Sequence, residues 1–342
     1  LNTQQTLDQL WSRGKDFLGT DHAIMGGAMS WVSERRLVSA LSNAGGFGVI
    51  ACGAMPPELL EQEIIATKAL TNKPFGVNLI IMHPKLDELI AVCARQQVSH
   101  VVLAGGIPKG TTIEALKAAS IKVIAFAPSA RIGQKLVKMG ADALVIEGME
   151  AGGHIGPVST SVLAQEILPH ISEVPVFVAG GIGRGEAIVS YLRMGAAGVQ
   201  LGTRFVCAEE SIAHPKFKEC FIRSSARDAV ASVQLDPEFT VIPVRAIANK
   251  ATEDFIRFQQ AVIEKYRRGD VEKKDAQLEI EHFWAGALRR AVMDGDVENG
   301  SVMAGQSVGM VSQIQPMQEI MSELLQQALD FLSTGHRYDL AS

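Results

Sequence analysis

Eight short apolar runs, each followed by a stretch of helical pattern, recur between residues 23 and 223 of this 342-residue chain. The runs cover residues 23–28, 47–52, 74–81, 100–104, 122–127, 143–146, 175–179 and 198–205. The helical stretches between and after them cover 33–43, 56–70, 84–97, 111–119, 130–139, 159–168, 184–194 and 209–223. Strands covered by helices on the outside and packed on the inside need not alternate polar with apolar residues. Eight such units in a row therefore predict an α/β fold, a (β/α)8 TIM barrel. An open doubly wound sheet fits less well, because no G-x-G-x-x-G sits at the first strand-to-helix turn and the strands do not split into two halves.

Local punctuation supports the count. Ser33 reads as an N-cap, Asn43-Ala-Gly-Gly46 as a helix end, and Pro56-Pro57-Glu58 as a helix start. Beyond Phe205 the rhythm stops. Residues 236–250 read as extended or looped, 251–268 and 278–293 as helices, 294–300 as a turn and 316–332 as a closing helix. The expected organisation is an N-terminal helical extension (1–20), a barrel (21–225), a helical lid subdomain over one mouth (226–312) and a C-terminal helix packing back on the barrel (313–342).

A net charge of -5 and a pI of about 5.9 argue against a nucleic-acid-binding surface, which needs clustered Lys and Arg. Cys52, Cys93, Cys207 and Cys220 form no C-x-x-C and read as buried thiols of a reducing compartment. The first residues are polar and helical in pattern, with no apolar core of a leader and no span long enough for a bilayer, so the expected location is the cytoplasm, away from membranes.

In a barrel of this kind the working groups sit at the C-terminal ends of the strands, and phosphate is often gripped after strands seven and eight. Those loops are Ala179-Gly-Gly-Ile-Gly183 and Gln200-Leu-Gly-Thr-Arg-Phe205. Each alone reads as a tight turn. Together they favour an anion, through the backbone N–H groups of Gly180, Gly181 and Gly202 and the hydroxyl of Thr203, with a helix start near Arg184 adding its dipole. Three further strand ends suit a planar heteroaromatic ring: Asn78 by its amide, Ala104-Gly105-Gly106 by close backbone approach, and Met25-Gly-Gly-Ala-Met29 likewise. A ring at one end and a phosphate at the other describe flavin mononucleotide, FMN.

The sixth strand runs into Glu147-Gly-Met-Glu-Ala-Gly-Gly-His-Ile-Gly156. His154 reads equally as an acid–base group and as a loop histidine capping the next helix. Glu147 is expected to be a structural or ligand hydrogen bonder and Glu150 a solvated carboxylate. No metal is expected, since no second histidine or H-x-x-x-H accompanies them. His22, His83, His100, His170, His214 and His336 read as surface or capping residues, and His282 as packed against the barrel.

Four motifs carry a resemblance: the 147–156 loop, Val178-Ala-Gly-Gly-Ile182, Val199-Gln-Leu-Gly-Thr-Arg-Phe205 and Gly300-Ser-Val-Met-Ala-Gly-Gln306. In this order they resemble the nitronate monooxygenase (2-nitropropane dioxygenase) superfamily, most closely its enoyl-ACP reductase II branch, from about residue 21 to about residue 312. The resemblance implies an FMN-dependent barrel oxidoreductase with His154 catalytic. It places the family's glycine and methionine motif on Gly27 and Met29, with Ala28 where a second glycine is usual and Gly26 where glutamine is usual. The flavin site it implies includes Asn78, Ala104, Glu147, Gly153, Gly180, Gly181, Gln200, Gly202 and Thr203. Two reactions are implied. One is NADH- or NADPH-dependent reduction of a 2-enoyl thioester, with acyl carrier protein as a conceivable partner. The other is oxidation of an alkyl nitronate with oxygen. An NAD(P)H:quinone reductase and a flavin-binding protein without catalysis are further readings, and a homodimer through the lid helices is open.

Overall fold

The computed structural model describes residues 2–334; Leu1 and residues 335–342, with His336 and the end of the expected closing segment, lie outside the described residues. The eight barrel strands are β1 (Ile24–Gly26), β2 (Gly48–Ala51), β3 (Phe75–Ile80), β4 (His100–Ala104), β5 (Lys122–Phe126), β6 (Ala143–Glu147), β8 (Val176–Ala179) and β9 (Gly198–Leu201), while the two-residue β7 (Gly153–His154) stands apart from them. All eight pair in parallel, in the order β1-β9-β8-β6-β5-β4-β3-β2. A single bridge, Met25 to Phe47, closes the ring. There the Phe47 N–H donates to Ile24 O and the Gly26 N–H to Phe47 O, both at 2.9 Å. The TIM barrel expected from the rhythm is the fold. Its strands are rich in Val and Ile, whose branched side chains fit a surface buried on both faces; Val77, Val101, Val123, Val145, Val178 and Val199 are fully buried.

The N-terminal end of the barrel is sealed by the start of the chain. Helices Thr3–Leu10 and Ser12–Leu18 bury Leu7, Trp11 and Leu18. Gly14 lets the second helix touch β9: a Cβ there would stand 2.1 Å from Ala197 O. Phe17 then reaches the bottom of the barrel, where its ring meets His100 edge-on at 5.0 Å and Phe177 at 6.2 Å.

Past the barrel the chain builds a second, smaller unit. Strands β10 (Ala229–Ala231), β11 (Val244–Ile247) and β12 (Val302–Met303) form an antiparallel sheet, with β11 central. Strand β7 also pairs with β11, Val244 opposite His154 and Arg245 opposite Gly153. Thus β12 and β7 lie end to end along one edge of β11, and β10 lies along the other. Helices Lys250–Arg268 and Lys273–Asp294 pack on this unit around Phe239, Phe255 and Trp284, the last two with ring centroids 4.2 Å apart. Helix Met317–Thr334 returns to the barrel and lies so close to helix Gly185–Arg193 that a Cβ on Gly185 would meet Leu324 O at 2.2 Å.

Several sequence expectations need correction. The region 226–312 is not purely helical, because its short β-branched runs find partners far away in sequence. Glu34, not Ser33, caps helix Arg35–Asn43; the Ser33 hydroxyl instead donates to Gly27 O at 3.2 Å and accepts from Met29 N–H at 3.0 Å, shaping the loop after β1. The eighth strand ends at Leu201, since Thr203–Phe205 turns into a short 3-10 helix. The helix placed at 209 begins at Pro215, where proline presets the first turn. The helix placed at 278 begins earlier, at Lys273. His282 is exposed rather than packed on the barrel, and His100 is 2% exposed rather than at the surface.

Candidate active site

The C-terminal strand ends form a rim of partly accessible residues around two nearly buried amides. Gln200 and Asn78 are each 6% exposed; Gly27, Met29, Ala104, Glu147, Gly153, Gly180, Gly181, Gly202 and Thr203 are half-buried, and Ala28 is exposed. The first and last strand ends meet. The Gly27 N–H donates to Leu201 O at 2.8 Å. A Cβ on Gly27 would stand 3.5 Å from Gln200 Nε2, and one on Gly202 would stand 3.5 Å from the Met29 sulfur. Two strands round the ring from β1, on β3, Asn78 Nδ2 donates to Val102 O at 3.3 Å, and Asn78 O accepts from the Cys52 N–H at 3.3 Å. Ala104 ends its strand by accepting from the Ile81 N–H, after which Gly105 and Gly106 take φ of 86° and 127°, open to glycine.

Strands β8 and β9 are neighbours, so their two glycine loops lie side by side. Gly180 and Gly181 have φ of 96° and 72°. Both values lie in the left-handed region that glycine adopts without steric cost, which lets this backbone approach a ligand closely. The N–H groups of Gly180, Gly181, Ile182, Gly202, Thr203 and Arg204 make no hydrogen bond to an acceptor among the described residues. Thr203 Oγ1 accepts from the Gly305 N–H at 2.9 Å, which leaves its own proton for a further acceptor. The helix that follows contributes less than its start near Arg184 suggests, because Gln327 Oε1 already accepts from the Gly185 N–H at 2.9 Å.

The loop after β6 is built differently. Gly148 has no room for a side chain: a Cβ would fall 1.9 Å from Thr160 Oγ1. Glu150 is not the solvated carboxylate expected from sequence. Its Oε2 accepts from the Thr160 N–H and hydroxyl, both at 2.9 Å, so it caps helix Thr160–Ile167. Lid groups then take hold of the loop. Arg245, 4% exposed, donates from Nε to Met149 O at 2.9 Å and from a terminal nitrogen to Ala229 O at 2.6 Å. The Gln306 N–H donates to Glu150 O, and the Ile155 N–H to Pro243 O. Gly153, at φ 74°, directs the chain into β7, and His154 thereby belongs to the lid sheet.

Glu147 remains at the end of β6. Burial pushes its carboxyl up to about 7, with the nearby His154 pulling in the opposite direction. The His154 ring makes one polar contact among the described residues, Nε2 to Glu281 Oε2 at 2.9 Å. Rim glycines, buried amides, a carboxyl titrating near neutrality and an accessible imidazole thus share one mouth. Sequence reasoning missed Arg245 and Glu281. Arg245 carries a usable signal, a lone charge inside the apolar run Val244–Ile247; Glu281, on a charged helix face, carries none.

In a barrel of this class the working groups stand at the C-terminal strand ends, where this rim lies. The family model described as nitronate monooxygenase matches residues 12–96 and 84–327, and the chain belongs to that family. Similar proteins include the (3aS,4S,5R,7aS)-5-hydroxy-7a-methyl-1-oxo-octahydro-1H-indene-4-carboxyl-CoA dehydrogenase of Rhodococcus jostii, 36% identical over 221 residues, which are 65% of this chain and 62% of that protein. A probable nitronate monooxygenase of Staphylococcus aureus is 27% identical over 93% of this chain and 98% of its own length. Among solved structures, FabK from Thermotoga maritima is 35% identical, covers 95% of this chain and 98% of its own, and superposes with a TM-score of 0.85. No described helix is long and apolar enough to cross a membrane.

Proposed function

We propose that the chain is an FMN-dependent oxidoreductase that uses NADH or NADPH to reduce 2-enoyl thioesters. The observation that carries the flavin reading is the pair of adjacent glycine loops, whose six N–H groups have no acceptor among the described residues. A phosphate supplies such acceptors. The residues fit FMN: the loops after β8 and β9 would hold the phosphate, and Gly27, Met29, Asn78, Ala104, Glu147 and Gln200 would border the ring. Bound FMN supplies hydride transfer between a nicotinamide and an electron-poor double bond.

The protein's own groups do the remaining work. His154, as imidazolium, donates a hydrogen bond to the thioester carbonyl oxygen and gives up that proton to the α-carbon once the double bond is reduced, ending as the neutral ring. Glu147, half-protonated near neutral pH, serves as donor or acceptor to a polar ring edge. Three observations support a thioester over a small nitro compound. The Rhodococcus relative is named for a carboxyl-CoA substrate, FabK is the similar structure at 35% identity, and the loops around the mouth expose Trp31, Met82 and Ile107, apolar surface suited to an acyl chain. The family description and the Staphylococcus relative support the second reading, oxidation of alkyl nitronates with oxygen.

Anaerobic reduction followed by a choice of oxidants separates them. The FMN-loaded protein is expected to bleach with NADH or NADPH and to recover its flavin absorbance with crotonyl or longer enoyl thioesters. Recovery only with oxygen or a quinone sinks the thioester reading, and bleaching by propyl nitronate with turnover in air establishes the second. Purified, folded protein that takes up no FMN ends both.

A further inference from the structure

The mouth histidine is met by one lid carboxylate. Glu281 lies on helix Lys273–Asp294 and is 127 residues from His154 in sequence, yet its Oε2 stands 2.9 Å from His154 Nε2. The side chains are 45% and 39% exposed, so the pair contributes little to holding the fold together. What it fixes is chemical. An ionised carboxylate only accepts, so Nε2 must carry the proton, and in neutral imidazole the lone pair is then confined to Nδ1.

We propose that Glu281 is a positioning residue for His154: it keeps one proton on Nε2, so that Nδ1 is the nitrogen that takes up a second proton and, from the imidazolium, donates it to the substrate. The inference rests on the reading that His154 acts at this mouth. Nδ1 makes no hydrogen bond among the described residues, as required of the nitrogen that meets substrate. The other charged groups facing His154 leave this task to Glu281. Glu147, at the end of β6, acts on His154 only through its charge. Arg245, opposite Gly153 on β11, has its guanidinium turned to the carbonyls of Met149 and Ala229.

The carboxylate is delivered by a helix docked on two sides of the mouth. Eight residues beyond Glu281, about 12 Å along the helix, the Arg289 guanidinium lies 5.7 Å from the ring centroid of Trp31 in the loop after β1. The backbone of His154 is held separately by β11. Both halves of the pair are thus set by the lid unit, whereas the glycine loops belong to the barrel. The lid does more than cover the mouth: it orients the histidine.

The test compares wild-type holoenzyme with Glu281→Ala and Glu281→Gln, each labelled with 15N-histidine, the His154 signals being those lost in His154→Asn. Wild type is expected to show the neutral ring protonated on Nε2. Glu281→Ala is expected to show an averaged tautomer pattern and a kcat about tenfold lower with KM changed less than about twofold. Glu281→Gln, whose amide oxygen still accepts from Nε2–H, should restore the tautomer and most of the kcat. An unchanged tautomer pattern in Glu281→Ala overturns the proposal whatever the activity does. Failure of the thioester reading looks different: wild-type holoenzyme turns over no enoyl thioester, and the tautomer comparison still stands.

Discussion

The two ends of the barrel each hold a histidine, under opposite conditions. At the N-terminal end His100 is 2% exposed, its Nε2–H donates to Phe17 O at 2.9 Å, and its ring lies edge-on to Phe17 and Phe47. Burial pushes it down to about 4, so at neutral pH it is an uncharged packing piece. At the C-terminal end His154 stands 45% exposed on a two-residue strand, facing one lid carboxylate. The difference teaches that a barrel separates its duties by end. Where chain ends and strand starts converge, polar groups are sealed into the core; where strands finish, backbone and side chains stay available to a ligand.

Five experiments break or sharpen this contrast, in descending order of effect. His154→Ala is expected to keep FMN and melting temperature while losing about 10²–10³ in turnover with the best thioester; unchanged turnover reduces the residue to a loop support. His100→Leu should do the reverse. Loss of its two ring hydrogen bonds, to Phe17 O and with Ser99 Oγ, and of its shape-matched ring is expected to cost about 2–4 kcal/mol in urea unfolding, with normal kcat per folded holoenzyme. A kcat loss at full FMN occupancy breaks the division between the ends.

The pH dependence of stability sharpens it further. The ordinary value for histidine is 6.5, and folded His100 lies near 4. Between these values the unfolded chain takes up a proton that the folded chain does not, so this group's contribution to stability falls as pH drops. Glu147 runs the other way. Its ordinary value is 4.5 and its folded value about 7, so in that window the folded chain holds a proton the unfolded chain has released, and stability falls as pH rises. In FMN-free protein the two slopes oppose each other between about pH 4.5 and 6.5. Glu147→Gln should therefore leave stability rising with pH across that window, and His100→Leu should leave it falling, each by up to about 3 kcal/mol. Parallel curves for the two variants contradict the assignment.

Gly202→Ala probes the phosphate end more gently. The added Cβ would stand 3.5 Å from the Met29 sulfur, an ordinary contact, so the FMN-free protein should melt as wild type does. FMN affinity measured by fluorescence quenching is expected to weaken about tenfold, the equivalent of one hydrogen bond. The smallest effect belongs to Arg289→Met, which removes the cation over Trp31. A stability change under about 1 kcal/mol is expected, and a large one would mean that the lid is docked chiefly through that contact.

Much of this was legible in the residues themselves. The eight βα units follow from period and punctuation alone, because burial on both faces demands apolar runs and the helices between them demand caps. The adjacency of the two glycine loops was legible for a related reason: glycine pairs after strands mark backbone that turns through left-handed φ, and the strand count puts Gly180 and Gly181 beside Gly202. Glu150 was misread because a carboxylate in a glycine-rich loop looks solvated until Thr160 arrives 10 residues later to donate to it. The region 226–312 looked helical because β10, β11 and β12 are three, four and two residues long, too short to show a period of their own.

The sequence by itself thus determined the barrel, the mouth and the glycines that line it, since these depend on local pattern and on conformations that only certain residues adopt. Tertiary structure alone decided the company His154 keeps. Its strand exists only by pairing with Val244 and Arg245, and its carboxylate partner lies 127 residues away on a helix whose charged face carries no sign of the contact. Local physics writes itself into neighbouring residues, whereas a contact made by folding one unit over another leaves its two halves looking like ordinary surface.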